Sequence, residues 1–252
     1  MAKIAITSIP YWGHVNVTLS IGALLLEHGH EVTWFLARDM KNLVLPEGGK
    51  LVLTNRQEDI ALTNVLELLD SGKSKSAMDG SKFVLEEVLL PLSSLMHDGL
   101  TRALDVFKPD VLIHDEQTYI GAICSTQLNI PFITTHVAPS GIFETTESTA
   151  ISDWYFAEIE KFQVSFGLPA VPHVVRSEKL GLTFCPRDFS NPYELMNGQV
   201  FVGPCLDAPR RYAESFDYER LTTNGKKNLM VSIGTLLTVE ASRFYQKVIN
   251  DF

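Results

Sequence analysis

His14 and Asp115 are the two residues of this chain whose types and positions best suit acid–base chemistry. His14 follows an apolar strand pattern at Lys3–Ser8, and Asp115 directly follows a second one at Asp110–His114. The carboxyl ends of parallel strands lie at one edge of a sheet, which is where open α/β folds bind their ligands. If these two strands are neighbours, the imidazole and the carboxylate can approach each other.

A carboxylate behind a histidine fixes the tautomer of the ring and stabilises its protonated form, so that the other ring nitrogen can act as a general base. A helix that begins near Asn16 would point its positive end at His14, and we expect this to keep the ring neutral and ready to accept a proton. The spacing alone leaves a second interpretation open, in which His14 is only a hydrogen-bonded residue in the turn before a capped helix.

Other residues near the same sheet edge are weaker candidates. His136 follows a strand pattern at Pro131–Thr135 and is a rival base, a contact to a bound small molecule or an ordinary loop histidine. His114 is expected to pack or to form a hydrogen bond within its strand. The aromatic residues between Phe143 and Phe166 could line an apolar ligand pocket, but packing in the core explains each of them at least as well.

Strand and helix patterns alternate along most of the chain, which predicts an α/β fold with a Rossmann-like, doubly wound and mostly parallel sheet. The strand patterns are Lys3–Ser8, Glu31–Leu36, Leu51–Leu53, Asp110–His114, Pro131–Thr135, Leu180–Phe184, Gln199–Val202 and Asn228–Ile233. Helical patterns fall at Leu19–Leu26, Glu58–Leu69, Phe83–Phe107 and Gly121–Leu128, and a last one begins near Val239.

The segments between these patterns predict loops and a linker. Ser71–Ser81 is small, polar and aperiodic, and Pro91 implies a kink or a break in the long helix that contains it. Ala208–Lys227 has the polar, charged composition of a linker. We therefore divide the chain into a first lobe at residues 1–222 and the first strand and helix of a second, incomplete lobe at residues 223–252.

The composition argues against several functional classes. A formal net charge of −9 disfavours a nucleic-acid partner, because such binding depends on clustered lysine and arginine. Three widely spaced cysteines do not indicate a disulfide framework or a zinc site, so we expect reduced thiols, no metal site and a cytoplasmic location. No apolar run approaches the ~18 residues that a membrane span needs. A GxGxxG loop is absent, which disfavours a nicotinamide enzyme despite the Rossmann-like layout.

Several stretches, taken together and in order, resemble the signature of nucleotide-sugar-dependent glycosyltransferases with the two-lobed GT-B fold. The branch they resemble most is that of the bacterial macrolide and zeaxanthin glucosyltransferases. Val17 stands where this family usually has proline, which concerns helix stability rather than chemistry. The stretches are Gly13–Leu19 (GHVNVTL), Glu27–Thr33 (EHGHEVT), Lys108–Asp115 (KPDVLIHD), Ile130–Thr135 (IPFITT), Phe201–Pro204 (FVGP) and Val231–Thr235 (VSIGT).

This resemblance implies an inverting transfer of a hexose from a UDP-sugar to a hydroxyl group of a lipophilic small molecule. By position, His14 matches the catalytic base of the family and Asp115 its supporting carboxylate. The UDP-sugar is then a co-substrate, and no cofactor is expected. The other implied contacts are Gly13, Ser232, Gly234 and Thr235 to the donor, and Tyr11, Trp12, Thr135 and His136 to the acceptor.

Most of the family's donor-binding signature does not occur in this sequence. The resemblance therefore implies that the chain is the amino-terminal part of a truncated hexosyltransferase and that its 252 residues alone are inactive. A separate chain could supply the missing lobe. The alternative is a non-catalytic module that binds an acceptor or a protein partner.

Overall fold

A sheet of seven parallel strands forms the centre of the computed structural model, which describes residues 1–41, 43–56, 58–70, 77–137, 150–170, 175–189, 198–205, 217–223, 225–232 and 238–251. Each strand is short, and the central strands β1, β2 and β4 are mostly buried, as expected for strands that are covered on both faces, whereas the edge strands β3 and β7 are more exposed. In sequence order they are β1 (Lys3–Thr7), β2 (Glu31–Leu36), β3 (Lys50–Leu53), β4 (Val111–Asp115), β5 (Phe132–His136), β6 (Gly181–Thr183) and β7 (Gln199–Phe201).

The strands lie in the order β3-β2-β1-β4-β5-β6-β7, and every neighbouring pair is parallel. The chain therefore winds outward from β1 to β3, returns to the centre, and winds outward again on the other side from β4. This confirms the predicted doubly wound α/β fold, with a sheet that is parallel throughout its described strands. The winding direction reverses between β1 and β4, which is the position where such sheets bind ligands.

Eight α-helices connect and flank the described strands. None of these helices is both long enough and apolar enough to cross a membrane. The helices are α1 (Trp12–Glu27), α2 (Ile60–Asp70), α3 (Ala77–Phe83), α4 (Leu90–Phe107), α5 (Tyr119–Gln127), α6 (Ala150–Ser165), α7 (Tyr218–Thr223) and α8 (Thr238–Asp251).

Helix α1 packs on one face of the sheet through a close contact with Trp34. The indole is fully buried, and its N–H group donates a hydrogen bond to Thr18 Oγ1 on α1 at 3.1 Å. Gly22 makes the approach of the helix possible, because a Cβ atom there would lie 2.1 Å from the ring. The opposite face is covered by α4, α5 and α6, whose buried residues form a second cluster with Ala5, Phe35 and Leu112.

The long helical pattern around Pro91 is continuous in the structure rather than broken. A π-helical segment at Val84–Leu89 joins α3 to α4, and the N–H group of Leu90 donates to the carbonyl of Leu85. Proline cannot donate a backbone hydrogen bond and its ring crowds the preceding turn, so a locally wider turn accommodates it. The predicted kink or break is thus a π-helical segment.

Three predictions about the connecting segments are wrong in part. Residues 77–81 of the predicted loop belong to α3, which begins at Ala77 and carries Asp79 in its first turn, where a carboxylate favours a helix. The predicted linker contains α7, whose Arg220 N–H group bonds to the Asp217 carboxylate. Residues 228–232 form no strand, and none of the described strands lies beside them to accept their hydrogen bonds.

Helix α6 arises in a region where the sequence pattern loosens. Phe143 lies outside the described residues, but most of the aromatic residues named above lie on α6 and pack into the core. Tyr155 and Phe162 are buried, and the Tyr155 hydroxyl lies 3.1 Å from that of Tyr119. The described aromatic residues therefore support the packing interpretation.

Candidate active site

His14 and Asp115 meet at the reversal point of the sheet. His14 lies in the first turn of α1, directly after β1, and Asp115 is the last residue of β4, which pairs with β1. The Nδ1 atom of His14 lies 2.8 Å from Oδ2 of Asp115. The carboxylate is wholly buried, and its other oxygen accepts a hydrogen bond from the Gln117 N–H group at 2.9 Å.

This geometry assigns a role to each nitrogen of the His14 ring. Because the carboxylate can only accept, Nδ1 carries the proton and Nε2 keeps its lone pair. The side chain is 15% exposed, so the ring is enclosed but reachable. The arrangement can hold one tautomer of histidine and stabilise the imidazolium that forms when Nε2 accepts a proton.

Helix α1 begins earlier than the sequence pattern predicts. It begins at Trp12, because the carbonyl of Tyr11 already accepts hydrogen bonds from the N–H groups of His14 and Val15. His14 is therefore part of the helix and does not lie in a turn before it. A single glycine such as Gly13 is tolerated in a first helical turn.

The electrostatics of His14 also differ from the expectation of a ring kept neutral. Burial lowers the pKa of His14, but the charge and hydrogen bond of Asp115, with a further contribution from the charge of Glu116, outweigh it and raise the pKa above 6.5. A positive helix end would act in the opposite direction. The carboxylates of Asp115 and Glu116 thus decide the direction of the pKa shift, and they make the His14 ring a stronger base.

The pKa of His14 is directly measurable by NMR titration of its ring protons in this chain. We expect a value above 6.5 in the wild type, so the ring is protonated at acid pH and becomes the free base as the pH rises. In Asp115→Asn we expect a value below 6.5, because burial, the largest single cause, then acts with little opposition. Asp98→Asn removes a carboxylate from the exposed His97 pair and serves as the control. A His14 pKa that stays above 6.5 in Asp115→Asn would contradict this account.

A second histidine–carboxylate pair lies beside the first and was not predicted. His136 is the last residue of β5, and its Nδ1 atom lies 2.7 Å from Oε2 of Glu116. The sequence held a usable signal, because Glu116 follows Asp115 and the β4–β5 pairing sets Asp115 beside Thr135. Positions 116 and 136 are therefore neighbours on the same face.

His136 is closed off from solvent among the described residues. Its side chain is 1% exposed, and Nε2 faces the backbone of Gly181 on β6. It ends a strand, so it is not the ordinary loop histidine that one interpretation expected. Its contact with an acceptor stays a prediction, and such a contact needs movement of the covering residues.

His114 lies at the same edge of the sheet and forms hydrogen bonds to Asp115 and Thr134. Its Nδ1–H group donates to the carbonyl of Asp115 at 3.0 Å, and Nε2 lies 3.0 Å from the hydroxyl of Thr134. Complete burial lowers the pKa of His114 to about 4, so the ring is neutral and accepts the hydroxyl hydrogen at Nε2. The structure confirms the expected hydrogen-bonded role of this residue.

The remaining predicted contact residues differ in their distance along the chain from His14 and in their exposure. Tyr11, Trp12 and Gly13 directly precede His14 at the start of α1, where Gly13 is exposed and a Cβ atom on it would meet nothing within 4 Å. Thr135 is buried, and its hydroxyl donates to the His114 carbonyl at 3.3 Å. The roles of these residues in binding stay predictions.

The predicted donor contacts in the carboxyl-terminal region are only partly described. Ser232 is exposed in a segment without regular structure. Gly234 and Thr235 lie outside the described residues. Within the described part of the chain, no group of three histidine, cysteine or acidic side chains is placed to hold a metal ion.

Comparisons with known proteins agree with the resemblance seen in the motifs. No family profile matches the chain. The chain is 26% identical over 264 residues to the NDP-glycosyltransferase YjiC of Bacillus subtilis (strain 168), covering 99% of this chain and 61% of the relative. It is 29% identical over 257 residues to the demethyllactenocin mycarosyltransferase of Streptomyces fradiae, covering 94% of this chain and 53% of the relative.

Solved structures show the same fold. The glycotransferase of kitacinnamycin superposes with a TM-score of 0.61 at 20% identity, covering 86% of this chain and 54% of that chain. The similarity to GT-B glycosyltransferases indicated by the motifs is therefore confirmed. The chain spans roughly half to three-fifths of the length of the curated relatives it matches over nearly all of its own length.

Proposed function

We propose that this chain, a relative of nucleotide-sugar glycosyltransferases with the GT-B fold, is the acceptor-binding, amino-terminal part of an inverting enzyme. The proposed reaction transfers a hexose from a UDP-sugar to a hydroxyl group of a lipophilic small molecule. One observation carries the proposal, namely the 2.8 Å contact between His14 and Asp115 at the reversal point of the sheet. An ordinary structural histidine does not need a wholly buried carboxylate behind it and a ring that stays partly exposed.

In the proposed mechanism, Nε2 of His14 accepts the proton of the acceptor hydroxyl. The hydroxyl oxygen forms a bond to the anomeric carbon of the sugar, and the bond from that carbon to the nucleoside diphosphate breaks with its electron pair leaving on the diphosphate. Asp115 stabilises the imidazolium throughout, since its carboxylate stays ionised beside Nδ1. Attack from the side opposite the leaving group inverts the configuration at the anomeric carbon.

The proposed donor contacts lie on both sides of the reaction centre. Gly13 offers backbone without a side chain in the first turn of α1, where N–H groups and the helix dipole favour an anion such as a diphosphate. Ser232, Gly234 and Thr235 are the proposed contacts from the following segment. Because the relatives are longer, we propose that further donor contacts come from a carboxyl lobe, in the same chain or in a separate one.

We also propose that the protein acts in the cytoplasm. The three cysteines Cys124, Cys185 and Cys205 are not joined by disulfides, and Cys124 and Cys185 are buried. Reduced thiols of this kind are typical of a reducing compartment.

The proposal is tested by assaying the chain with UDP-glucose and a panel of phenolic and polyketide acceptors, alone and fused to the carboxyl lobe of the Bacillus subtilis relative. We expect no multiple turnover from the chain alone, because stabilisation of the leaving diphosphate is a large part of such catalysis. The fusion should form a β-glycoside from the α-linked donor, which the coupling constant of the anomeric proton identifies. A retained α configuration would contradict the inverting mechanism, and turnover by the chain alone would contradict the need for a second lobe.

The non-catalytic alternative makes a different prediction for the same materials. A binding module would take up an acceptor without any product from the fusion, and dTDP-glucose in place of UDP-glucose would not change that result. Product from dTDP-glucose only would support the mechanism, and the nucleotide preference would then be that of the fused lobe.

A further inference from the structure

A groove lies on one face of the sheet, away from the His14–Asp115 pair. It has a volume of about 560 Å³, which is within the range of small-molecule sites. It runs between α4 and the strands β2 and β3, and none of its lining residues lies on β4 or β5. The groove is therefore a separate feature from the proposed active site.

The walls of the groove are apolar, with an excess of positive charge. Phe35, Val52, Leu53, Ala103, Val106 and Phe107 provide the apolar surface. Lys3, Lys50 and Arg102 face one carboxylate, that of Glu31. This excess is notable in a chain whose net charge is −9.

The three cationic side chains of the groove differ in their hydrogen-bond and ion-pair partners. Lys50 Nζ donates to Glu31 Oε1 at 2.9 Å, and this hydrogen bond lowers the pKa of Glu31. Lys3 Nζ lies 5.6 Å from the centre of the Phe107 ring and donates to the Phe107 carbonyl at 3.4 Å. Its charge makes a further, smaller contribution to the lowered pKa of Glu31. For Arg102, on the α4 wall, the described part of the chain provides no hydrogen bond and no ion pair.

The floor of the groove contains a buried polar group without a partner. Thr33 is 2% exposed, and its hydroxyl has no hydrogen-bond partner among the described residues. A buried hydroxyl in this state is unfavourable, and native proteins satisfy most such groups. Thr33 lies between Glu31 and Phe35 on the strand face that lines the groove, and its hydroxyl is covered by neighbouring atoms, so a ligand accepts its hydrogen once these atoms move aside.

We propose that this groove binds an anionic, amphipathic small molecule. The carboxylate or phosphate of the ligand lies between Arg102 and Lys3 and accepts the hydrogen of the Thr33 hydroxyl. The apolar body of the ligand covers Val52 and Phe107. Charge and hydrogen bonding fix the head, and the apolar walls select a chain or ring rather than a free inorganic anion.

The test is an amide NMR titration of this chain with sodium decanoate, compared with decyl phosphate, decanol and decylammonium. We expect saturable shifts at Thr33 and Arg102 with decanoate or decyl phosphate, and the tighter of the two identifies the head group. Decanol and decylammonium should bind at least about tenfold more weakly, because a charge-assisted hydrogen bond is lost. Equal affinity for decanol, or shifts centred on His14 and His136, would overturn the proposal.

Substitutions at Arg102 and Thr33 test the two proposed contacts to the head group. Arg102→Gln should weaken decanoate about tenfold, whereas Arg187→Gln, the same change at an exposed site away from the groove, should leave the affinity unchanged. Thr33→Val keeps the shape of the side chain, and we expect it to weaken decanoate while raising the Tm of the ligand-free chain. Equal effects of the two arginine substitutions, or a lower Tm together with unchanged affinity in Thr33→Val, would contradict the assigned contacts.

Discussion

In a fusion of this chain with a relative's carboxyl lobe, His14→Asn is expected to lower kcat by about 10²–10⁴-fold with little change in the KM of the acceptor. The asparagine amide can still donate to Asp115, so the local hydrogen bond survives. It cannot accept a proton at neutral pH, so the base is lost. Steady-state kinetics at saturating donor separate the two parameters.

The matched control is the same substitution at the other paired histidine. His136→Asn keeps a donor for Glu116, and we expect kcat to stay within a few-fold of the wild type because His136 is enclosed and has no role in the proposed proton transfer. Asp115→Asn should fall between the two, since the amide holds the ring but does not stabilise the imidazolium. If His136→Asn is as damaging as His14→Asn, the base has been assigned to the wrong pair.

Gly99→Ala is expected to destabilise the fold by at least about 3 kcal/mol, at the upper end of what overpacking of a core costs. Gly99 lies on α4 where the helix touches the segment after β3. A Cβ atom there would lie 1.7 Å from the carbonyl oxygen of Thr54 and 2.7 Å from its carbonyl carbon. Backbone cannot move aside as a flexible side chain can, so the helix and the strand must separate.

Urea unfolding of the chain measures this effect, with Gly13→Ala as the control. Gly13 is also helical, but a Cβ atom on it meets nothing within 4 Å. Alanine has the higher helix propensity, so this substitution should leave stability unchanged or raise it by up to about 1 kcal/mol. Similar destabilisation by both substitutions would show that flexibility, rather than the contact with Thr54, is the reason for glycine at position 99.

Much of the sheet was predictable because parallel strands that are buried on both faces appear as short apolar runs between helices. Seven of the eight strand patterns correspond to strands. The eighth, at residues 228–233, has the same apolar character, but its described part lacks a neighbour, and Leu229 and Met230 are 66% and 91% exposed. An apolar pattern indicates that burial of a segment is favourable, whereas a strand also needs a neighbouring strand for its hydrogen bonds.

The meeting of His14 and Asp115 at the candidate site was predictable from the sequence, whereas the electrostatics of the site were not. His14 and Asp115 follow strands that the winding rule sets side by side, so their meeting follows from topology. The start of α1, the raised pKa of His14 and the Glu116–His136 pair depend on distances of a few ångströms. Burial and nearby carboxylates shift the pKa of a histidine in opposite directions, and sequence spacing does not decide which effect is larger.

The carboxylates of Asp115, the last residue of β4, and of Glu116, the residue after it, also limit how this strand can change over evolution. Side chains of consecutive residues in an extended chain alternate in direction, so one carboxylate reaches His14 and the other reaches His136. A one-residue insertion or deletion within β4 would exchange the faces and give each histidine the wrong neighbour. We therefore expect β4 to tolerate single substitutions better than it tolerates insertions or deletions.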